Sequence, residues 1–233
     1  MKTIKFNFDK LAKHGYVVPT VKQSRIAEEF RLIKRPLLNL ALKNKDGISK
    51  KNIIMVTSAV EGEGKTYIAI NLSISIAMEI DKTALLIDAN IHNSSASKFL
   101  GLDGLPGLTD YLVNDKIALV DVMYKTNVEK LVVMPVGSII SATAELFSSG
   151  RMERLIDELS EQYPDRVIIF DLPGIKVASE AYYLSEMAGQ IAFIVSAGTT
   201  SRFDVDEAIN QIGKNKQISL ILNKASGSTV RML

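Results

Sequence analysis

Residues 52–73, NIIMVTSAVEGEGKTYIAINLS, decide the fold. The stretch opens on an apolar run, turns through Gly62 and Gly64, and continues from Thr66 with apolar residues at helical spacing. An unbroken apolar run of this kind is a strand buried on both faces, and a helix follows it, so the glycines occupy a strand-to-helix turn. In that setting Gly64, Lys65 and Thr66 read as the GKT of a phosphate-binding loop. Backbone N–H groups and the helix N-terminus hold phosphates, Lys65 reaches the outer ones, and Thr66 supplies a magnesium ligand. Gly62, Glu63 and Tyr67 complete the expected nucleotide-contacting stretch. The pattern G-x-x-x-x-G-K-[ST] is broken at its first glycine, which falls on Ala59. A glycine turn with an accidental lysine is the bland alternative, and the flanking strand and helix weigh against it.

Working outward, five more apolar runs appear at 83–89, 130–136, 166–173, 190–197 and 218–225. Helical periodicity fills 66–80, 148–162 and 201–213. Strand and helix alternate, which predicts an α/β fold: a mainly parallel sheet with helices on both faces. Ligands bind such sheets at the carboxyl ends of the strands. Two strands end in carboxylates there, TALLIDA at Asp88 and RVIIFDLP at Asp171. A lone aspartate after an apolar run is commonly a turn or cap residue. Two of them in a chain that carries GKT point to a shared metal site, with Thr66, Asp88 and Asp171 as ligands. Asn90, two residues after Asp88, offers a carbonyl oxygen without the charge of a carboxylate. Asn223, at the end of the last run, has a side-chain amide suited to a purine edge. His92 reads as a solvated loop residue, and its pKa also makes it a candidate base.

Bulk composition excludes several classes. The chain has 233 residues, 47% hydrophobic content, net charge +2 and no cysteine, which fits one sizeable domain without disulfides or thiolate metal sites. The mixed, near-neutral charge gives no argument for nucleic acid. No stretch approaches the ~18 apolar residues of a membrane span, and the N-terminus lacks the apolar core of a signal peptide. Any membrane connection is expected through a partner or a surface contact.

The segments SAVEGEGKT, LLIDAN, FDLPG and LILNKA, with GLDGLPGLTDYL and ELFSSGRMERLIDEL between them, resemble the bacterial tyrosine kinases of exopolysaccharide export, in the exosortase-associated, chain-length-determinant branch. The resemblance runs from about residue 24 to about residue 225. It implies a P-loop NTPase fold and a deviant Walker kinase that uses ATP and Mg2+ to phosphorylate tyrosine. Asp88 then belongs to the Walker A-prime motif and Asp171 to Walker B, and the resemblance implies Lys65, Asp88 and Asp171 as the catalytic groups. The implied partners are a membrane-embedded polysaccharide co-polymerase as activator, other copies of the chain in a ring, and a tyrosine-containing protein substrate. The implied location is cytoplasmic, peripheral at the inner face of the membrane.

Within that resemblance, SRIAEEFRLIK places Glu28, Arg31 and Lys34 every three residues, opposite Ile26, Phe30, Ile33 and Leu37. The trio resembles the family's E-x-x-R-x-x-R oligomerisation motif with lysine as its last member, which predicts a looser ring because lysine lacks arginine's bidentate fork. Against that motif stands the reading of an ordinary solvated face. The expected organisation is an N-terminal helical arm over 1–45, a kinase domain over 46–228 and a short tail over 229–233. The partitioning ATPases place a signature lysine where this chain has Val60, which disfavours that branch. Glu61 replaces a proline common among the kinases and adds negative charge near the phosphates. The tail carries no tyrosine, so the acceptor is expected on another protein, and Tyr182 and Tyr183 are expected to be packing residues. Asn90, Glu61 and the tail keep a second reading open: a nucleotide-binding regulator of the same machinery that transfers phosphate poorly.

Overall fold

The computed structural model describes residues 1–21, 23–41, 50–139, 143–162, 165–213 and 216–225. All six apolar runs are strands: β2 (Ile53–Ser58), β3 (Thr83–Asp88), β5 (Leu131–Met134), β6 (Arg166–Asp171), β7 (Gln190–Ser196) and β8 (Ile218–Asn223). Two short strands that carry no periodic signal, β1 (Lys2–Thr3) and β4 (Tyr124–Lys125), extend one edge. The eight strands run in the order β1-β4-β5-β3-β6-β2-β7-β8, and every pairing is parallel except β4 with β5.

Alternate strand residues feed two cores. Ile54, Val56, Leu86 and Ile169 pack with α1 (Phe8–Lys13), α2 (Arg25–Ala41), α3 (Lys65–Ala77) and α4 (Ser95–Leu100). Ile53, Met55, Leu85 and Phe170 pack with α5 (Leu108–Val113), α6 (Thr143–Phe147), α7 (Gly150–Gln162), α8 (Ser179–Met187) and α9 (Arg202–Ile212). Helices therefore cover both faces, which is why the strands tolerate no polar alternation. The three long periodic stretches are α3, α7 and α9.

The N-terminal segment is built into this body. β1 pairs with β4, Asn7 caps α1 by accepting from the Lys10 N–H at 2.9 Å, and the Asn71 side chain of α3 accepts from the Val17 N–H at 2.6 Å. α2 lies against α3 through Phe30, Ile33 and Leu37. The expected boundary at 45/46 and the tail at 229–233 lie outside the described residues.

Candidate active site

The order β3-β6-β2 places three strand ends side by side, and each delivers one part of the site. The loop after β2 is the GKT turn; Asp88 and Asp171 are direct neighbours across the β3–β6 ladder. Gly62 and Gly64 adopt left-handed backbone, with φ of 77° and 97°, which residues with a β-carbon rarely hold. Gly64 is also tight: a β-carbon there would fall 2.1 Å from Asn223 Nδ2.

Lys65 folds back along the loop, donating to Ser58 Oγ at 3.1 Å and to the Val60 carbonyl at 3.0 Å. Burial lowers its pKa, opposed by the carboxylates of Asp171, Glu63 and Glu61. Glu63 is 2% exposed and braces the loop from inside. Its Oε2 accepts from the Val60 N–H at 2.8 Å, its Oε1 from the Thr200 hydroxyl, and its carbonyl from Asn223 Nδ2 at 2.8 Å. The Lys224 ammonium donates to the Gly62 carbonyl at 2.6 Å.

The Thr66 hydroxyl donates to Asp171 Oδ2 at 2.7 Å, while Asp171 Oδ1 is buried with no hydrogen-bond partner. Burial, and then the neighbouring Asp88 charge, raise the Asp171 pKa. Asp88 accepts from the Asn90 N–H at 3.1 Å and from the Ser97 N–H and hydroxyl at 2.8 and 2.7 Å. Burial raises its pKa against those bonds. Asn90 Oδ1 is a second buried oxygen without a partner.

A cleft of about 670 Å³ is lined by the loop residues Glu61, Gly62, Gly64, Lys65 and Thr66 together with Asn90, Pro173, Tyr16, Asn93, Ser95 and Phe99; Asp88 and Asp171 are not among its lining residues. Asp171 Oδ1, on the carboxylate that Thr66 meets, and Asn90 Oδ1, on a residue of the cleft wall, are unpartnered buried oxygens of the kind that suits a hard, oxygen-seeking cation such as Mg2+. Among the described residues no group of three or more His, Cys, Asp or Glu could hold a metal.

The structure gives several of the residues singled out in the sequence other local contacts. Tyr67 turns away from the cleft: its hydroxyl donates to the Gly15 carbonyl at 2.7 Å and its ring meets Tyr16 at 4.9 Å. Asn223 sits beneath the loop, its amide nitrogen spent on Glu63, rather than lining the cleft as a base reader. Lys34 is 6% exposed and donates to the Ser75 carbonyl at 2.6 Å and Glu79 Oε1 at 2.5 Å, so it fastens α2 to the end of α3 and does not share a solvated face with Glu28 and Arg31. Glu28 and Arg31 pair with each other at 2.6 Å, both half-exposed. Tyr182 and Tyr183 are 38% and 40% exposed on α8, so they are surface residues rather than packing ones. His92 is not simply solvated, since its Nε2 lies 3.2 Å from Glu180 Oε1.

Sequence reasoning missed Tyr16, Ser97, Phe99 and Thr200. Each stands in an irregular or very short element, where spacing carries no signal.

No protein-family profile matches the chain. The chain is 31% identical over 182 residues to the tyrosine-protein kinase CpsD of Streptococcus agalactiae, covering 77% of each protein. It is 30% identical over 213 residues to the tyrosine-protein kinase YwqD of Bacillus subtilis, covering 91% of this chain and 86% of that one. The kinase domain of the Escherichia coli tyrosine kinase ETK matches with a TM-score of 0.76 at 22% identity, over 92% of this chain and 85% of that one, which shows a common fold.

Proposed function

This chain belongs to the bacterial tyrosine-protein kinases, and we propose that it transfers the terminal phosphoryl group of ATP, bound with Mg2+, to a tyrosine hydroxyl. The observation that carries this reading is the cleft that the GKT loop lines together with Asn90, whose Oδ1 is buried and unpartnered, and the bond from Thr66 of that loop to Asp171, whose Oδ1 is unpartnered too. Magnesium, when bound, neutralises charge that develops on the phosphates. Thr66, Asp171 and Asn90 are the oxygens offered to it. The loop N–H groups and Lys65 hold the phosphates, and Lys65 exchanges the Ser58 and Val60 oxygens for them. Asp88 takes the acceptor's proton; burial strengthens it as a base, although its three hydrogen bonds from Asn90 and Ser97 must then be shared.

Those three bonds also favour the second reading, in which Asp88 clasps the loop and the protein is a nucleotide-switched regulator that transfers phosphate poorly. Following the resemblance of the sequence motifs, the proposal includes a role in polysaccharide assembly with a membrane co-polymerase as activator, self-association into rings and a location at the inner face of the membrane. No helix among the described residues is long and apolar enough to cross a membrane.

The test is transfer of label from ATP and magnesium to a tyrosine peptide, with and without the partner's cytoplasmic segment, beside Lys65→Ala and Asp88→Asn. Phosphotyrosine that disappears in both variants supports the kinase. Tight nucleotide binding with no transfer under either condition sinks it and leaves the regulator.

A further inference from the structure

We propose that Ser97 is a positioning residue for phosphoryl transfer: it anchors one oxygen of Asp88 and leaves the other, Oδ1, to receive the acceptor's proton. The inference rests on the kinase reading above and deepens it by naming the oxygen that works and the side chain that holds the carboxylate.

The three hydrogen bonds to Asp88 are unevenly divided. Oδ2 takes two short ones, from the Ser97 N–H at 2.8 Å and from the Ser97 hydroxyl at 2.7 Å. Oδ1 takes one longer bond, from the Asn90 N–H at 3.1 Å. Each carboxylate oxygen has two lone-pair sites, so Oδ2 is full and Oδ1 keeps one. The direction of the hydroxyl is fixed as well. The Val136 N–H donates to Ser97 Oγ at 3.1 Å and so offers that oxygen only a donor, and the single hydroxyl proton points at Asp88.

The anchor is built into the local fold. α4 starts after Ser94, whose backbone is left-handed with φ of 44° and whose side chain makes no capping bond. Ser97 is the third residue of α4, the position whose N–H a capping side chain ordinarily satisfies. Asp88 satisfies it instead, from the end of β3. Val136, just past β5, is itself held through its carbonyl, which accepts from the Thr109 N–H at 2.9 Å and the Thr109 hydroxyl at 3.0 Å. Ser97 is 1% exposed and is not among the residues that line the cleft, so its hydroxyl has no direct part in holding a nucleotide.

The step balances. The acceptor's phenolic oxygen forms a bond to the terminal phosphorus of ATP, the bond from that phosphorus to the bridging oxygen breaks, ADP leaves, and the phenolic proton goes to Asp88 Oδ1. Without the Ser97 hydroxyl the carboxylate is free to turn, and the orientation that meets this proton is lost for part of the time.

Transfer from ATP and magnesium is measured, with and without the partner's cytoplasmic segment, on a tyrosine peptide and on the same peptide carrying fluorotyrosine. The more acidic phenol of the second peptide needs less help from a base. Ser97→Ala is expected to lower kcat on the tyrosine peptide by ~10-fold or more while nucleotide affinity stays within ~2-fold, and to lose much less on the fluorotyrosine peptide. Ser97→Thr keeps the hydroxyl and is expected to restore kcat. Ser97→Cys, nearly isosteric and a weak donor, is expected to follow Ser97→Ala and decides the matter if the methyl group of threonine prevents folding. An unchanged kcat in Ser97→Ala overturns the proposal while the kinase reading stands. So does an equal loss on both peptides, or a loss matched by a fall in nucleotide affinity, since either makes Ser97 a structural residue only. Nucleotide binding by the unaltered chain without transfer to either peptide overturns both.

Discussion

The Thr66 hydroxyl and Asp171 Oδ2, 2.7 Å apart, join the first turn of α3 to the end of β6 and leave Asp171 Oδ1 buried and unpaired. A fully buried carboxylate with one oxygen unpartnered is unfavourable unless something positive meets it. The fold thus carries a cost at Asp171 that a bound cation removes. Asp171→Asn is expected to separate the two effects. The metal-free protein should gain stability at neutral pH, on the order of 1 kcal/mol, or a rise of ~2–4 °C in melting temperature. Magnesium-dependent nucleotide affinity should fall by ~10-fold or more, about 1.4 kcal/mol. Calorimetric melting and nucleotide titration check the two signs; a loss of stability in the metal-free variant would mean that Asp171 is already compensated.

The pH dependence follows from the same pair. Burial raises the pKa of both Asp88 and Asp171 above the unfolded value, so the folded state binds more protons than the unfolded one between the two values. The contribution of these groups is fully present below the unfolded pKa, near ~4, and is lost as pH rises through the folded values. Chelator-treated protein should therefore melt at lower temperature as pH climbs from the acid side of this window. Magnesium and nucleotide should flatten the decline, because a cation competes with those protons. Melting curves across pH, with and without magnesium, read the difference directly.

Lys34 tests where α2 is anchored. Its ammonium meets the Ser75 carbonyl in the last turn of α3 and Glu79 just beyond, so it satisfies orphan acceptors at a helix C-terminus. Lys34→Met should cost about 1–3 kcal/mol in urea unfolding, through the lost bonds and the helix-end charge. Arg31→Ala breaks an exposed pair within one helix and should cost roughly 0.3–0.5 kcal/mol. If Lys34 instead served a subunit seam, its variant would change particle mass in light scattering without lowering the unfolding midpoint.

The contrast between Lys34 and the strands shows what the sequence could and could not disclose. Parallel strands buried on both faces leave unbroken apolar runs, so all six long strands were legible, and with them the strand-end positions of Asp88 and Asp171. β1 and β4 are two residues each and α4, α5 and α6 five or six, too short for any period to register. Lys34 followed Glu28 and Arg31 at three-residue spacing and looked solvated. It is buried because α3 presents open carbonyls beside Ile33, a fact of tertiary docking that no single-helix pattern contains. Tyr16 is the same case at the site, brought to the cleft by Gly15, Asn71 and Phe99 from three separate parts of the chain.

Gly64 and Asn223 make a mutual constraint that can be taken apart. Gly64→Ala meets two penalties, the left-handed φ of 97° and the Asn223 amide 2.1 Å from the new β-carbon. The first costs roughly 1–2 kcal/mol. The second displaces Asn223 from the Glu63 carbonyl and loosens the loop. Adding Asn223→Ala should relieve the contact and leave the backbone strain. The double variant is then expected to be less impaired than the sum of the single ones, in both unfolding free energy and nucleotide affinity. Strict additivity would mean that the two residues do not press on each other.

Asn90 decides how strongly the site holds its cation. Its Oδ1 is buried, unpartnered and beside the cleft that Thr66 also lines, so it can offer a lone pair but no charge. Asn90→Asp supplies the charge at nearly constant shape. With metal bound, another carboxylate at ligand distance is worth on the order of 1–3 kcal/mol after desolvation, or ~5–150-fold in magnesium affinity. Without metal the same change places a third negative charge beside Asp88 and Asp171, whose pKa values burial already raises, and the metal-free protein should melt lower. Magnesium titration by calorimetry and melting of the chelated protein give the two readouts. Opposite signs identify Asn90 Oδ1 as a cation ligand. Unchanged magnesium affinity together with the same loss of stability would place that oxygen near the carboxylates but outside the coordination sphere, and the site would then depend on Asp171 and Thr66 alone.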